Sequence, residues 1–116
     1  MDYKFIKTDY LESVSGGDRT LIKELTDMFR EQMIEMQSEM IALLAEKNYH
    51  SLGLLAHKAK SSVAIMGMEE LSEMLKTFEL QVKASEAVEL YDSYVSRFVH
   101  DTKEAISELD DLLNNN

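Results

Sequence analysis

A chain of 116 residues can build one hydrophobic core but not two, so a single domain over residues 1–116 is expected. An apolar content of 45% excludes a disordered acidic segment, and no proline with only four glycines leaves long helices unobstructed and disfavours a strand-and-turn architecture. A net charge of −10 argues against non-specific nucleic-acid binding and against an anionic membrane surface, and the lack of cysteine excludes disulfides, thiolate metal sites and thiol nucleophiles.

Residues 1–17 read as an N-terminal segment that packs as a lid on one end or side of the domain. Its apolar members are Tyr3, Phe5, Ile6, Tyr10, Leu11 and Val14, with Asp9 placed to cap a short helix over Tyr10–Val14. Ser15-Gly16-Gly17 is the clearest break in the chain. Asp18 can cap a long helix from Arg19 to about Glu46 or Lys47, whose apolar stripe is Ile22, Leu25, Phe29, Met33, Met36, Met40 and Leu43, widened by Leu21, Met28 and Leu44. Methionine at this spacing is read as core filler rather than as a binding groove.

Asn48 marks a turn and a cap. A helix follows from Tyr49 to about Met66, ended by Gly67. Glu69 and Glu70 suit the positive end of the next helix, whose stripe is Leu71, Met74, Leu75, Phe78 and Val82 and which fades at Lys83-Ala84. Ser85 can cap a last helix to about Leu113, with the stripe Val88, Tyr91, Val95, Phe98, Thr102, Ala105, Leu109 and Leu112. Residues 114–116 should fray. Four amphipathic helices on short connections, the first and last longer than the middle two, predict an all-α, antiparallel up-down-up-down four-helix bundle. Every apolar stripe then has an internal use, which predicts a monomer.

The third predicted element carries the chemistry. Its apolar side is Leu52, Leu55, Ala56, Ala59, Val63 and Met66. At roughly 100° per residue, His57 falls about 140° from the centre of that stripe. Ser61 and Ala64 share its side, and Lys60, one turn on, lies between this side and the core. The helix thus offers an unshielded imidazole with a cation nearby. A lone outward histidine is more often simply solvated; the small neighbours and the lysine are what single this one out. Imidazole with its ordinary pKa of about 6.5 is mostly neutral at pH 7, so one ring nitrogen keeps a lone pair.

Other chemistries lack their parts. Di-iron bundles need Glu-x-x-His pairs, but Lys47, Leu54 and Arg97 stand three residues before the histidines. His50 and His57 share a helix face without a third zinc ligand on that helix, so no metal site is expected. No glycine-rich phosphate loop or nucleotide-binding region exists for a kinase, and nothing builds an oxyanion hole for Ser-His-Asp hydrolysis. The longest apolar run, Met40–Ala45, is too short to span a bilayer, and Met1-Asp2-Tyr3-Lys4 holds no apolar signal region, so a cytosolic protein is expected; Met1 and a self-contained length lean toward a free-standing one.

His57-x-x-Lys60-Ser61-Ser62, Gly67 ten residues after the histidine, Leu71, and then Phe78-Glu79 resemble the signature of the histidine-containing phosphotransfer (HPt) domain family. That signature runs roughly H-x-x-K-G-S-S, a later Gly, a Leu and a closing Leu-Glu, and length and helix order extend the resemblance over nearly the whole chain. Ser61 departs from the glycine that often follows the lysine. The resemblance implies a phosphorelay carrier without kinase activity of its own. His57 would accept and return a phosphoryl group through its outer nitrogen, Nε2. Lys60 would stabilise the phosphoryl oxygens, and Ser61 and Ala64 would keep the approach open, Ser61 with a hydroxyl to donate. It implies docking at Leu54, Lys58, Ala64 and Ile65, and a structural part for Gly67, Leu71 and Glu79. The implied partners are a response-regulator receiver domain, which brings its own magnesium, and a hybrid sensor histidine kinase. This chain would bind no cofactor. The alternative reading is a non-phosphorylated HPt-like adaptor or helical interaction scaffold, and phosphorylation of His57 discriminates between the two.

Overall fold

The computed structural model describes residues 3–114, all-helical apart from turns and an irregular N-terminal stretch. Helix α1 spans Asp9–Ser15, α2 Arg19–Ala45, α3 Tyr49–Ile65, α4 Glu69–Lys83 and α5 Tyr91–Asn114, with a 3-10 turn over Val88–Leu90 ahead of α5. Helices α2 to α5 form the predicted antiparallel bundle: α2 packs on α3 and α5, and α4 packs on α3 and α5. The outer helices hold 27 and 24 residues, against 17 and 15 for α3 and α4. The result is a rod of 45 × 21 × 19 Å.

Helix boundaries follow from local chemistry. Asp18 accepts from the backbone N–H of Thr20 and Leu21 to start α2, and Asn48 accepts from Ser51 to start α3. After α3, Gly67 takes the left-handed conformation (φ +78°), and the N–H groups of Gly67 and Met68 reach back to the carbonyls of Ala64 and Val63. That is a Schellman stop, which a glycine fits without strain. The same pattern ends α4 with Ser85 in the left-handed position, its N–H on Val82 and that of Glu86 on Gln81.

The core is one cluster. Met33, Met36, Met40, Met66, Met68 and Met74 lie buried in it, so these methionines do fill the core. Phe78 packs against the rings of Tyr91 and Tyr94 at 5.2 and 5.0 Å, which fixes the rotation of α4 against α5. Gln37 donates to Thr102 across the buried α2–α5 seam at 2.7 Å.

The N-terminal residues form a strap rather than a free lead-in. Glu108 on α5 accepts from the backbone N–H groups of Lys4, Phe5 and Ile6, Tyr3 donates to Asp111, and Lys7 N–H donates to the Met66 carbonyl at the end of α3. Ile6 and Leu11 are buried beneath it.

Several sequence expectations are corrected. Asp9 is the first residue of α1 rather than its cap; Thr8 holds the cap position, its hydroxyl donating to the Glu12 carboxylate instead of accepting from a backbone N–H. Tyr10 and Val14 face solvent, because α1 lies on the flank of α2 and buries only one side. Met28 does not widen the α2 core stripe; it is 66% exposed. Ser85 stops α4 instead of capping the last helix. The chain crosses through Ala87, also left-handed, into the 3-10 turn, so Val88 leaves the core stripe. Asn114 closes α5, and the rest of the expected frayed tail, like residues 1 and 2, lies outside the described residues.

Candidate functional site

Helix α3 turns its apolar stripe into the core, with Leu52, Ala56, Ala59 and Val63 fully buried, and this leaves His57 pointing outward with 62% of its side chain exposed. The neighbouring helix supplies what α3 lacks. Glu79 of α4 sits at the edge of the stripe that buries Leu75 and Phe78, and only 8% of its side chain reaches solvent. Its Oε2 lies 2.7 Å from His57 Nδ1. A carboxylate oxygen and a ring nitrogen approach that closely only with a proton between them, so Nδ1 carries a hydrogen, and in the neutral form of the ring the lone pair is left on Nε2.

Glu79 is itself held by two cations. Lys60 Nζ donates to Oε1 at 3.3 Å, and Lys83 Nζ lies 3.2 Å from Oε2. Burial pushes the Glu79 carboxyl upward. The bonds from Lys83 and Lys60 and the charges of Lys60 and His57 outweigh that, and hold it below the usual range for a glutamate. A buried carboxylate is thereby kept ionised beside the imidazole. Helix α3 is also tied to α4 by Ser72, whose hydroxyl donates to the Lys60 carbonyl.

The predicted site residues divide into groups. His57, Lys60 and Glu79 meet. Ser61 and Ala64 are exposed on α3 beyond the histidine. Lys58 and Ile65 line a groove with Tyr10 of α1 and Leu25 and Met28 of α2. Leu54, 59% exposed, lies on the other flank, beside His50 and Lys83. Gly67 and Leu71 are at the far end of α3, Leu71 in the core and Gly67 against Lys7 of the strap.

The sequence reading gave Glu79 only a structural place. Its contact with His57 depends on how α4 is rotated against α3, which periodicity does not encode. The available signal was an acidic residue at the edge of an apolar stripe. Met28 and Tyr10 were likewise missed as surface residues, because apolar residues at helical spacing read as core.

No described helix is long and apolar enough to cross a membrane. No curated protein and no solved structure matches the chain significantly. The Hpt domain family model does match, over residues 24–115, from the second turn of α2 through the end of α5. That match covers most of the chain and takes in His57, Lys60 and Glu79; the chain belongs to the Hpt domain family.

Proposed function

We propose that His57 is the phosphoryl-carrying residue of this domain, taking the group from an aspartyl phosphate of a response-regulator receiver domain and returning it to another. Membership of the family supports a histidine phosphotransfer role in a phosphorelay, with the domain a carrier rather than a kinase. The observation that carries the assignment to His57 is the pairing of its Nδ1 with buried Glu79, which leaves Nε2 in solvent as the nucleophile.

In the transfer, the Nε2–P bond forms as the P–O bond of the acyl phosphate breaks. The freed carboxylate stays on the receiver, and the Nδ1 proton stays between ring and Glu79. The ring gains positive character as it bonds to phosphorus, and the ionised Glu79 stabilises it. Phosphoryl transfer of this kind depends on positioning and charge rather than on covalent help from the protein. The magnesium belongs to the receiver. Lys60, held by Glu79, contributes positive charge on the side from which the phosphoryl oxygens arrive, and Ser61 and Ala64 leave that side uncrowded. The receiver docks across Lys58, Ala64 and Ile65, with Leu54 on the opposite rim. A hybrid sensor histidine kinase feeds the relay in the cytosol, and this domain acts as a monomer.

The test is transfer from a panel of phosphorylated receiver domains, followed by acid and base treatment of the product. An acid-labile, base-stable phosphate that is absent in His57→Gln supports the reading. Phosphate retained in that variant overturns the assignment to His57, and no transfer from any receiver to the folded wild-type protein overturns the carrier reading in favour of the adaptor.

A further inference from the structure

Gly53 stands buried in the interior of α3, where glycine is a poor choice: relative to alanine it weakens a helix by about 0.5–1 kcal/mol. It has an ordinary helical backbone rather than a left-handed one, so no turn requires it. What requires it is Val82 of α4. A Cβ at position 53 would stand 2.7 Å from Val82 Cγ1 and 3.1 Å from Val82 Cβ. Neither atom can move aside cheaply, because a valine in a helix is held to one dominant χ1 rotamer and Cβ moves only with the backbone.

This contact lies beside the site. Gly53 is one turn before His57 on α3, and Val82 is one turn after Glu79 on α4. Because the two helices run antiparallel, the Gly53–Val82 approach is the neighbouring rung to the His57–Glu79 pairing. We infer that Gly53 is a positioning residue for phosphotransfer: its missing side chain lets α4 come close enough for Glu79 to reach Nδ1 of His57. The inference rests on the reading of His57 as the phosphoryl carrier, and it names a residue that touches neither the phosphoryl group nor the ring. An alanine at 53 has to push 2.7 Å out to at least the 3.4 Å at which ordinary contact begins, a parting of about 0.7 Å. Passed one turn along, the same parting carries a 2.7 Å pairing beyond the 2.7–3.2 Å range of N–H···O bonds.

The experiment compares Gly53→Ala, Val82→Ala and the double variant by three readouts: the rate of transfer from a phosphorylated receiver, the 15N and 1H shifts of the His57 ring that report its tautomer and Nδ1 partner, and the melting temperature. Gly53→Ala should stay folded, lose the Nδ1–Glu79 signature and transfer about tenfold more slowly, since misplacement by an ångström costs up to about a hundredfold. Val82→Ala removes the 2.7 Å clash and leaves only the 3.1 Å Cβ contact, so the double variant should recover the ring signature and most of the rate. A merely structural glycine would change the melting temperature without moving the ring shifts. A Gly53→Ala protein with wild-type ring shifts overturns the inference, as does a double variant as impaired as the single. The ring shifts need no receiver, so they judge Gly53 even if wild-type protein accepts no phosphoryl group, an outcome that would count against the carrier reading alone.

Discussion

At the scale of single residues, the transfer proposed for His57 would depend on Glu79, a carboxylate that pairs with the ring rather than with the phosphoryl group. Glu79 does two opposed things at once: it is buried, which disfavours its charge, and it is bonded by Lys60 and Lys83, which restores it. Because its folded-state pKa lies below the unfolded value of about 4.3, its contribution to stability is complete above that value and is lost as pH falls through the lower folded one. Glu79→Gln should therefore be less stable than wild type at neutral pH, with the gap closing in acid. Urea midpoints from pH 7 down to pH 3 measure this; a gap independent of pH would assign the loss to something other than the charge. The same variant should slow transfer to His57 about tenfold, because one charge-assisted contact is worth about 1.5–3 kcal/mol and tenfold in rate is about 1.4. An unchanged rate would remove Glu79 from the mechanism.

At the scale of the elements, helix ends decide how α3 and α4 are delivered to each other. Gly67 and Ser85 make the same stop, but only glycine is at ease in it. Ser85, at φ +54°, carries a strain of about 1–2 kcal/mol, partly offset by the entropy that glycine would lose. Ser85→Gly should raise stability by about 0.5–1 kcal/mol and leave transfer to His57 unchanged. Chemical denaturation checks the first, and a destabilised variant would mean that the hydroxyl serves an interaction worth more than the strain. Gly67 has no such freedom to change: a Cβ there would stand 2.5 Å from Lys7 Cβ and 2.9 Å from Lys7 N, so the turn and the strap are built against each other.

At the scale of the whole molecule, the strap joins the two ends of the chain. Glu108 gathers three successive backbone N–H groups, and Ile6 fills the core below them. Glu108→Ala should cost about 1.5–3 kcal/mol, as expected for bonds to a charged acceptor, and should speed amide exchange at Phe5 and Ile6. Transfer should persist, since His57 stands ten residues from Gly67, about 15 Å along α3. Exchange rates that stay at wild-type values would show the strap held by its apolar side chains alone. Exposed apolar side chains stand on both flanks of α3, where Ile65 and Met28 border one groove and Leu54 the other side. A partner centred on His57 would cover both flanks.

The amino-acid chain alone specifies the helices, their order, the bundle and the outward placement of His57. Each of these depends on local periodicity, on caps such as Asp18 and Asn48, or on an uninterrupted apolar stripe, all of which are written within one helix. It also determined the family, through residues fixed in spacing along α3 and α4. The partner of His57, the part Ser85 plays and the exclusion of Met28 from the core are set by the packed bundle instead. The reason is physical: contacts between helices depend on their separation and rotation. Those are set by packing, here by Phe78 between two tyrosines and by a glycine that lets Val82 approach, and they leave no periodic trace in the chain.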